Sequence, residues 1–354
     1  MNIAKTFRHP YYIISPRYIR TSAGVRVLFR LADRINKAGG SAFIYLRPHL
    51  NYDNSSSPMD VAPFLAKNVV DYHFNNQITP IVIYPETFLV DRFSAPVRIR
   101  YILNYENILF KNVPLDEDDY LVAYSENIAK KLKTDKPVCT IFIPISDDNL
   151  YHPPAVENRK GGVFYAAKYR HHFFGKTFPI TDGMPEITKD QLGSQSAGQI
   201  RELFQAAEFF YCYEDSALAL EAILCGCPVV FLPNEHFKET LGAKELGGLG
   251  YAWGNSPEQL EHAKATVKDA RERYLFLLKE VDQVVKQFIE DTQPLARNVI
   301  YTVPFASGFM VGPSLSQKIL DLVRFLKEVF EDNGFKKTLS ITYKRLRSKR
   351  FKIY

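Results

Sequence analysis

Residues 209–233 read FFYCYEDSALALEAILCGCPVVFLP, and this stretch decides the fold. The apolar run 209–213 is short, aromatic and β-prone, which is typical of a strand buried between helices. Ser216 supplies an N-cap oxygen to a run of strong helix formers that ends at Gly226. A second apolar strand follows at 229–232. This β–α–β unit predicts a parallel sheet with helices on its faces.

The beginning of this helix is a predicted anion site. In parallel sheets, ligands bind beyond the carboxyl ends of the strands, where the next helix presents unpaired N–H groups. We therefore expect the amides near Ser216 and Ala217 to hold a diphosphate. Glu221 lies about one and a half turns into an apolar helix, where a carboxylate is costly unless it is hydrogen-bonded. A ribose diol would satisfy it, and the alternative is a capped backbone group or a buried arginine.

The segment resembles the donor-binding motif of GT-B glycosyltransferases, especially those of glycosyltransferase family 4. Glu221-Ala222 and the turn Cys225-Gly226-Cys227-Pro228-Val229-Val230 carry the match. The resemblance implies an α/β chain of two Rossmann-like domains whose parallel sheets face a central cleft, with Glu221 on the donor ribose. It implies no cofactor and no metal, since the nucleotide-sugar is the substrate. The chain is also similar to bacterial rhamnan-type transferases of polysaccharide assembly.

One position departs from that family. Its members place another acid eight positions before the closing Glu, and here that position is Tyr213. Glu214 and Asp215 are the nearest carboxylates, displaced by one and two positions, and both are candidate donor-binding residues. The contact to the sugar stays open, and so does the choice between retaining and inverting chemistry.

The length of 354 residues suits two domains, and the composition is that of an ordinary globular protein. In the first half we predict strands at 11–15, 41–46, 81–84, 99–103, 120–124 and 139–143 and helices at 22–37 and 125–133. The predicted divisions are an N-terminal acceptor domain at 1–150, a donor domain at 151–312, a helix at 313–333 that crosses back to the first domain by resemblance, and a basic tail at 334–354.

Three further residues are predicted to touch the donor phosphates. The resembling enzymes have a Gly-rich loop where Gly24 stands here, although any helix start favours a small residue. They also place a basic residue near the end of the strand that we predict at 162–167, which makes Lys168 a candidate and Lys189 a weaker one. The alternative for each lysine is a solvated surface charge.

An inverting enzyme needs a general base for the acceptor hydroxyl. Glu86 follows the strand predicted at 81–84 and is the best-placed carboxylate; Asp53 is a weaker candidate. The alternative for Glu86 is a first-turn acid stabilised by the dipole of a following helix. Asp116-Glu-Asp-Asp119 superficially resembles a metal site, but an exposed acidic turn fits its place after Pro114 better.

The tail at 334–354 carries eight basic residues and no acid. Apolar residues are interleaved with these charges, which favours docking at an anionic membrane surface. Nucleic-acid binding is the rival, but no recognised module accompanies the tail and we expect no nucleic-acid partner. A solvated terminus is the remaining alternative.

The sequence thus predicts an enzyme that moves a hexosyl or deoxyhexosyl group from a nucleotide-sugar to a bacterial surface glycan, such as lipopolysaccharide or capsule, or to a lipid-linked acceptor. A nucleotide-sugar epimerase on the same fold and a non-catalytic assembly partner are the alternatives. The sequence has no apolar run near the ~20 residues that span a bilayer, and the predicted location is cytoplasmic, at the periphery of the membrane's inner face.

Overall fold

A computed structural model describes residues 8–46, 62–88, 93–104, 115–188 and 193–306. Within these ranges the chain forms two wholly parallel sheets with helices around them. The strands are β1 Tyr11–Ser15, β2 Ala42–Leu46, β3 Ile81–Pro85, β4 Val97–Ile102, β5 Tyr120–Ala123, β6 Val138–Thr140, β7 Gly162–Tyr165, β8 Phe209–Cys212, β9 Val229–Phe231 and β10 Tyr251–Trp253. The helices are α1 Ala23–Lys37, α2 Lys67–Asn75, α3 Glu126–Lys131, α4 Ala167–His171, α5 Ala197–Ala206, α6 Ala217–Leu224 and α7 Pro257–Ala296.

The first sheet has the order β2-β1-β3-β4-β5-β6 and the second has the order β10-β9-β8-β7. In the first sheet the chain changes direction across the sheet between β1 and β3, and such a switch point opens a crevice at the carboxyl ends of the strands. The second sheet contains the β–α–β unit predicted at 209–232, which is formed by β8, α6 and β9.

Helix α1 packs its apolar face against the first sheet. Its apolar positions Val25, Leu28, Phe29, Ala32 and Ile35 follow helical spacing, and all five side chains are buried. Burial of each large apolar side chain contributes about 1.5–3 kcal/mol. This face packs on the first sheet, so the beginning of α1 is held at the edge where the strands end.

Helix α7 belongs to both sheets. Its 40 residues span about 60 Å. Ala270 and Tyr274 are buried in the core of the second sheet, whereas Phe288 and Ile289 are buried in the core of the first. The predicted donor domain, 151–312, thus includes residues that complete the core of the other sheet.

The predicted crossing helix at 313–333 and the basic tail at 334–354 lie outside the described residues. Within the described ranges, no helix combines the length and the apolar character that crossing a bilayer requires.

The acidic turn at 116–119 differs from the prediction at one residue. Asp119 is buried, and its carboxylate pairs with Arg100 at 3.0 Å and with Arg98 at 3.1 Å. The expectation of an exposed turn was therefore wrong for Asp119. A buried charge requires a paired partner, and arginines on the neighbouring strand β4 provide it.

Candidate functional site

A cleft of about 630 Å³ opens where the carboxyl ends of the two sheets meet. Residues that follow β3, β4 and β5 line one side, and residues that follow β7 and β8 line the other. Every predicted site residue that the structure describes lines this cleft: Gly24, Glu86, Lys168, Glu214, Asp215, Ser216, Ala217 and Glu221. The other two candidates, Asp53 and Lys189, lie outside the described residues.

Three helices point their N-termini at the cleft. The cleft is lined by residues 22–24 at the beginning of α1, by residues 194–196 and Gln199 around the beginning of α5, and by residues 216–218 at the beginning of α6. Ser216 caps α6 by accepting a hydrogen bond from the amide of Leu218. In α1 the side chain of Ser22 makes no cap hydrogen bond. Helix N-termini carry partial positive charge and free N–H groups, so the cleft suits an anion.

Glu221 of α6, beside the second sheet, forms an ion pair with Arg26 of α1, beside the first sheet. Its Oε1 accepts a hydrogen bond at 2.9 Å from Nη1 of Arg26 in α1, and the two side chains are only 5% and 15% exposed. Nη2 of Arg26 also donates to the carbonyl oxygen of Ile145 at 2.7 Å. Tyr151 lies close by, and burial, followed by the negative charge of Glu221, raises the pKa of this tyrosine. The buried arginine that the sequence left open as an alternative is thus present, and the ribose contact stays a prediction.

Glu214 and Asp215, the carboxylates next to the family's acidic position, each accept a hydrogen bond from a backbone amide. Glu214 accepts a hydrogen bond at 2.9 Å from the amide of Tyr169 in α4, and Asp215 accepts one from the amide of Leu241. Burial raises the pKa of Asp215, an effect that the Leu241 amide and the charge of Lys168 oppose. Lys168 is therefore close enough to act on Asp215 electrostatically, on the same wall of the cleft.

Tyr213 stands at the position where the family has its first acid, and it faces away from the cleft. Its hydroxyl accepts from the amide of Phe178 at 2.6 Å and hydrogen-bonds Thr181 at 2.8 Å. Its ring stacks on Tyr169, with centroids 5.2 Å apart. The side chain is buried among aromatic residues, so Tyr213 acts in packing.

Glu86 directly follows β3 and is almost fully buried on the wall that the first sheet supplies. Its Oε2 accepts a hydrogen bond from the amide of Leu103 at 3.1 Å. Burial raises the pKa of Glu86 to about 7, although the hydrogen bond from the Leu103 amide lowers it in part. Residues 86 and 87 form a turn directly after the strand. A carboxyl group that titrates near neutral pH suits general-base chemistry.

Sequence reasoning missed Arg26, Tyr151 and the N-terminus of α5. The need of buried Glu221 for a partner was readable from its apolar surroundings, but the partner was not, since Arg26 is 195 positions away. The signal for α5 was the pair Ser196 and Gln199, which forms a capping box.

Comparison with known proteins supports the architecture. No protein-family model matches the sequence, and no curated protein matches it significantly. Among solved structures, the chain is similar to AviGT4, a glycosyltransferase involved in avilamycin A biosynthesis, with a TM-score of 0.51 and 13% identity over 81% of this chain and 98% of that one. It also matches the calicheamicin glycosyltransferase CalG4, with a TM-score of 0.40, 11% identity and coverage of 81% and 98%. At this level of identity the likeness concerns the fold alone. With its parallel sheets facing a common cleft, the chain has the GT-B fold that was predicted from residues 209–233.

Proposed function

We propose that this protein is a glycosyltransferase that moves a sugar from a nucleotide-sugar donor to a glycan acceptor. The observation that carries the proposal is the cleft itself, where an anion-binding helix start and Lys168 face a buried carboxylate, Glu86, supplied by the other sheet. The same fold occurs in the glycosyltransferase AviGT4. Because one fold serves many functions, the side chains of the cleft, and not the fold, support this activity.

The donor would lie along the second sheet. The amides at the beginning of α6 and the ammonium group of Lys168 would hold its diphosphate. Each charge-assisted hydrogen bond of this kind contributes roughly 1.5–3 kcal/mol. Glu221 lies one turn further along α6. A carboxylate has two oxygens and about four acceptor sites, so a ribose hydroxyl could share it with Arg26.

Glu86 would act on the acceptor from the first sheet. In an inverting reaction, the acceptor hydroxyl gives its proton to the Glu86 carboxylate while its oxygen bonds to the anomeric carbon. The bond from that carbon to the phosphate oxygen breaks, and the nucleoside diphosphate leaves with the electron pair. The helix N-termini and Lys168 would stabilise the charge that develops on the leaving phosphate.

The finer parts of the proposal come from the sequence. The transferred group would be a hexosyl or deoxyhexosyl residue, and the acceptor a bacterial surface glycan or a lipid-linked glycan, without a metal cofactor. The basic tail at 334–354 would dock the enzyme on an anionic membrane from the cytoplasmic side.

Deleting the tail should lower the fraction of protein that sediments with anionic vesicles and should leave turnover of a soluble acceptor intact. Equal sedimentation of the full-length and the shortened protein would refute the membrane role.

Thermal unfolding with a panel of UDP, GDP, dTDP and CMP tests donor binding. A ligand at about one hundred times its Kd adds about 2.7 kcal/mol of stability and raises Tm. We expect at least one nucleotide to do so, and Lys168→Gln to reduce the shift. If none of the four moves the Tm of the wild-type protein, the transferase proposal fails.

Product analysis by NMR then separates the enzyme classes. A transferase releases nucleoside diphosphate only when an acceptor is present and forms a new glycosidic bond. An epimerase would convert the donor without an acceptor. A non-catalytic assembly partner would leave both compounds unchanged.

A further inference from the structure

A second cavity, of about 240 Å³, adjoins the cleft at the Arg26–Glu221 pair, whose side chains line both spaces. Three arginines line it: Arg20 before α1, and Arg26 and Arg30 within α1. We call it the arginine pocket. Arg30 lines this pocket and not the cleft, which makes it a specific probe.

The charges of the arginine pocket are incompletely balanced. Arg26 and Arg30 lie one helical turn apart on the same face, a spacing at which like charges are destabilising. Arg26 is paired with Glu221, whereas Arg20 and Arg30 make no ion pair or hydrogen bond with any residue in the described ranges. Asp147 also lines the pocket, and its Oδ1 accepts from the amide of Asn149 at 3.0 Å. Three guanidinium groups therefore share the pocket with two carboxylates, of which Glu221 is paired with Arg26 and Asp147 accepts from a backbone amide.

The walls of the pocket suit a small polar anion. Tyr18 and Tyr151 line it, and the hydroxyl of Tyr18 can donate a hydrogen bond to an anionic oxygen. Its volume is well above the roughly 10–15 Å³ that a single water needs. The planar fork of a guanidinium group matches the oxygens of phosphate, and arginine is favoured wherever phosphate is recognised in this way.

We propose that the arginine pocket binds a phosphate or diphosphate group that is distinct from the phosphates of the donor nucleotide. Arg20 and Arg30 hold the anion from two sides, and Arg26 lies between this anion and Glu221. The group comes either from free inorganic phosphate or diphosphate or from a phosphorylated lipid headgroup. This binding is independent of sugar transfer, because it needs neither a donor nor an acceptor hydroxyl.

Calorimetric titration with inorganic diphosphate tests the proposal. We expect binding to the wild-type protein, a loss of affinity of roughly tenfold or more in Arg30→Gln, and no change in Arg34→Gln. Arg34 is the matched control because it lies one turn further along α1, where it pairs with Asp282 outside the pocket. Arg20→Gln is the second variant if Arg30→Gln does not fold; because this exposed side chain lines both the pocket and the cleft, the expected result is a loss of diphosphate affinity in Arg20→Gln together with unchanged affinity in Lys168→Gln.

Lys168→Gln separates the pocket from the cleft, because Lys168 lines only the cleft. If diphosphate affinity falls in Lys168→Gln and stays at the wild-type value in Arg30→Gln and Arg20→Gln, the anion binds in the cleft and the proposal is wrong. It is also wrong if the wild-type protein binds no diphosphate at millimolar concentration. Failure of the transferase proposal would appear elsewhere, as missing nucleotide binding or missing product.

Vesicle sedimentation identifies the source of the phosphate. Vesicles of phosphatidylcholine with phosphatidic acid present a phosphate monoester, and vesicles of phosphatidylcholine alone serve as the reference. A lipid source predicts that Arg30→Gln sediments less with phosphatidic acid than Arg34→Gln does. Equal sedimentation of the two variants, together with the calorimetric loss in Arg30→Gln, assigns the pocket to a soluble phosphate. The comparison between two single-charge variants cancels the contribution of the basic tail.

Discussion

At the scale of single residues, the pair Arg26–Glu221 decides the electrostatics of the site. Both side chains are largely buried, and each is the other's main charge partner. Removing one partner of a buried pair leaves an uncompensated charge, which is more costly than removing both. The pair therefore has a structural role that is separate from any contact with a donor.

A double-mutant cycle measures that role. We expect Glu221→Gln and Arg26→Gln each to lower the free energy of unfolding by about 3 kcal/mol. The double variant should lose clearly less than the sum of the two, because neither charge is left behind. Urea unfolding of the four proteins gives the coupling energy. Additive losses would show that the two side chains do not interact in solution.

Glu86 predicts a pH dependence of stability. Its pKa is about 7 in the folded protein, because of burial, against an ordinary value of 4.5. The folded state thus binds the proton more tightly than the unfolded state does, so stability falls as pH rises from about 4.5 to 7. This difference corresponds to about 3 kcal/mol. Glu86→Gln should remove this loss of stability. The free energy of unfolding of the variant, relative to that of wild type, should therefore rise by about 3 kcal/mol between pH 4 and pH 8. A constant difference across this range would contradict the burial of a titrating Glu86.

The same residue predicts a pH dependence of turnover. A general base acts only when it is deprotonated, so wild-type transfer should rise with pH through about 7. Loss of a general base typically costs 10²–10⁴-fold in rate. We expect Glu86→Gln to lose this much in kcat and to lose the pH dependence as well. A variant that retains wild-type kcat would leave Glu86 with a structural role.

At the scale of elements, the packing of α7 on β10 depends on one glycine. Gly250 directly precedes β10 with a φ of +76°, and a Cβ added there would lie 2.7 Å from the Cβ of Ala270 in α7. Real Cβ atoms essentially never approach so closely, so either the helix or the strand would have to move. The contact fixes how near α7 comes to the second sheet.

Gly250→Ala should therefore lower the free energy of unfolding by about 2–4 kcal/mol, from backbone strain and overpacking together. Gly248→Ala is the matched control, because φ there is +79° and a Cβ would meet nothing within 4 Å. Its loss should be limited to about 1 kcal/mol of backbone strain. Urea unfolding measures both. Equal losses in the two variants would show that the contact with Ala270 is unimportant.

Periodicity and turn chemistry were sufficient to predict the individual elements. The apolar run at 209–213 and the helix formers after Ser216 predicted β8 and α6, and the helix predicted at 22–37 is α1 at 23–37. These signals are local, since they depend on neighbouring residues. Arg26 could not be assigned to Glu221 in this way, because the two lie in different elements and only the tertiary fold brings them together.

At the scale of the whole molecule, α7 joins the two sheets into one structure. Phe288 in its second half is buried against the first sheet and lies 5.9 Å from Tyr11 of β1, measured between ring centroids. Phe305 completes an aromatic cluster on the other face of that sheet. Phe288 and Phe305 were predicted within the division 151–312, together with the second sheet, because chain order does not show which core a long amphipathic helix joins.

Phe288→Ala should accordingly destabilise the first sheet. We expect a loss of about 3–5 kcal/mol and faster hydrogen exchange of the amides in β1 and β3. Phe276→Ala is the control, since Phe276 also lies on α7 but is half exposed. Its effect on stability should be within about 0.5 kcal/mol. If Phe288→Ala accelerates exchange only in β8 and β9, the assignment of this part of α7 to the first core is wrong.

The shared helix also sets an order of events during synthesis. A ribosome that adds 5–20 residues per second releases β6 on the order of ten seconds before the second half of α7. During that interval the first sheet has all six of its strands and the cover of α1, but it lacks the core side chains that α7 and Phe305 supply. The second sheet has no such delay, because its strands β7 to β10 are followed directly by the first half of α7, which packs on them. The half of the protein that is translated first is therefore the half whose core is supplied with its residues last, and until then it exposes apolar surface of the kind that chaperones bind.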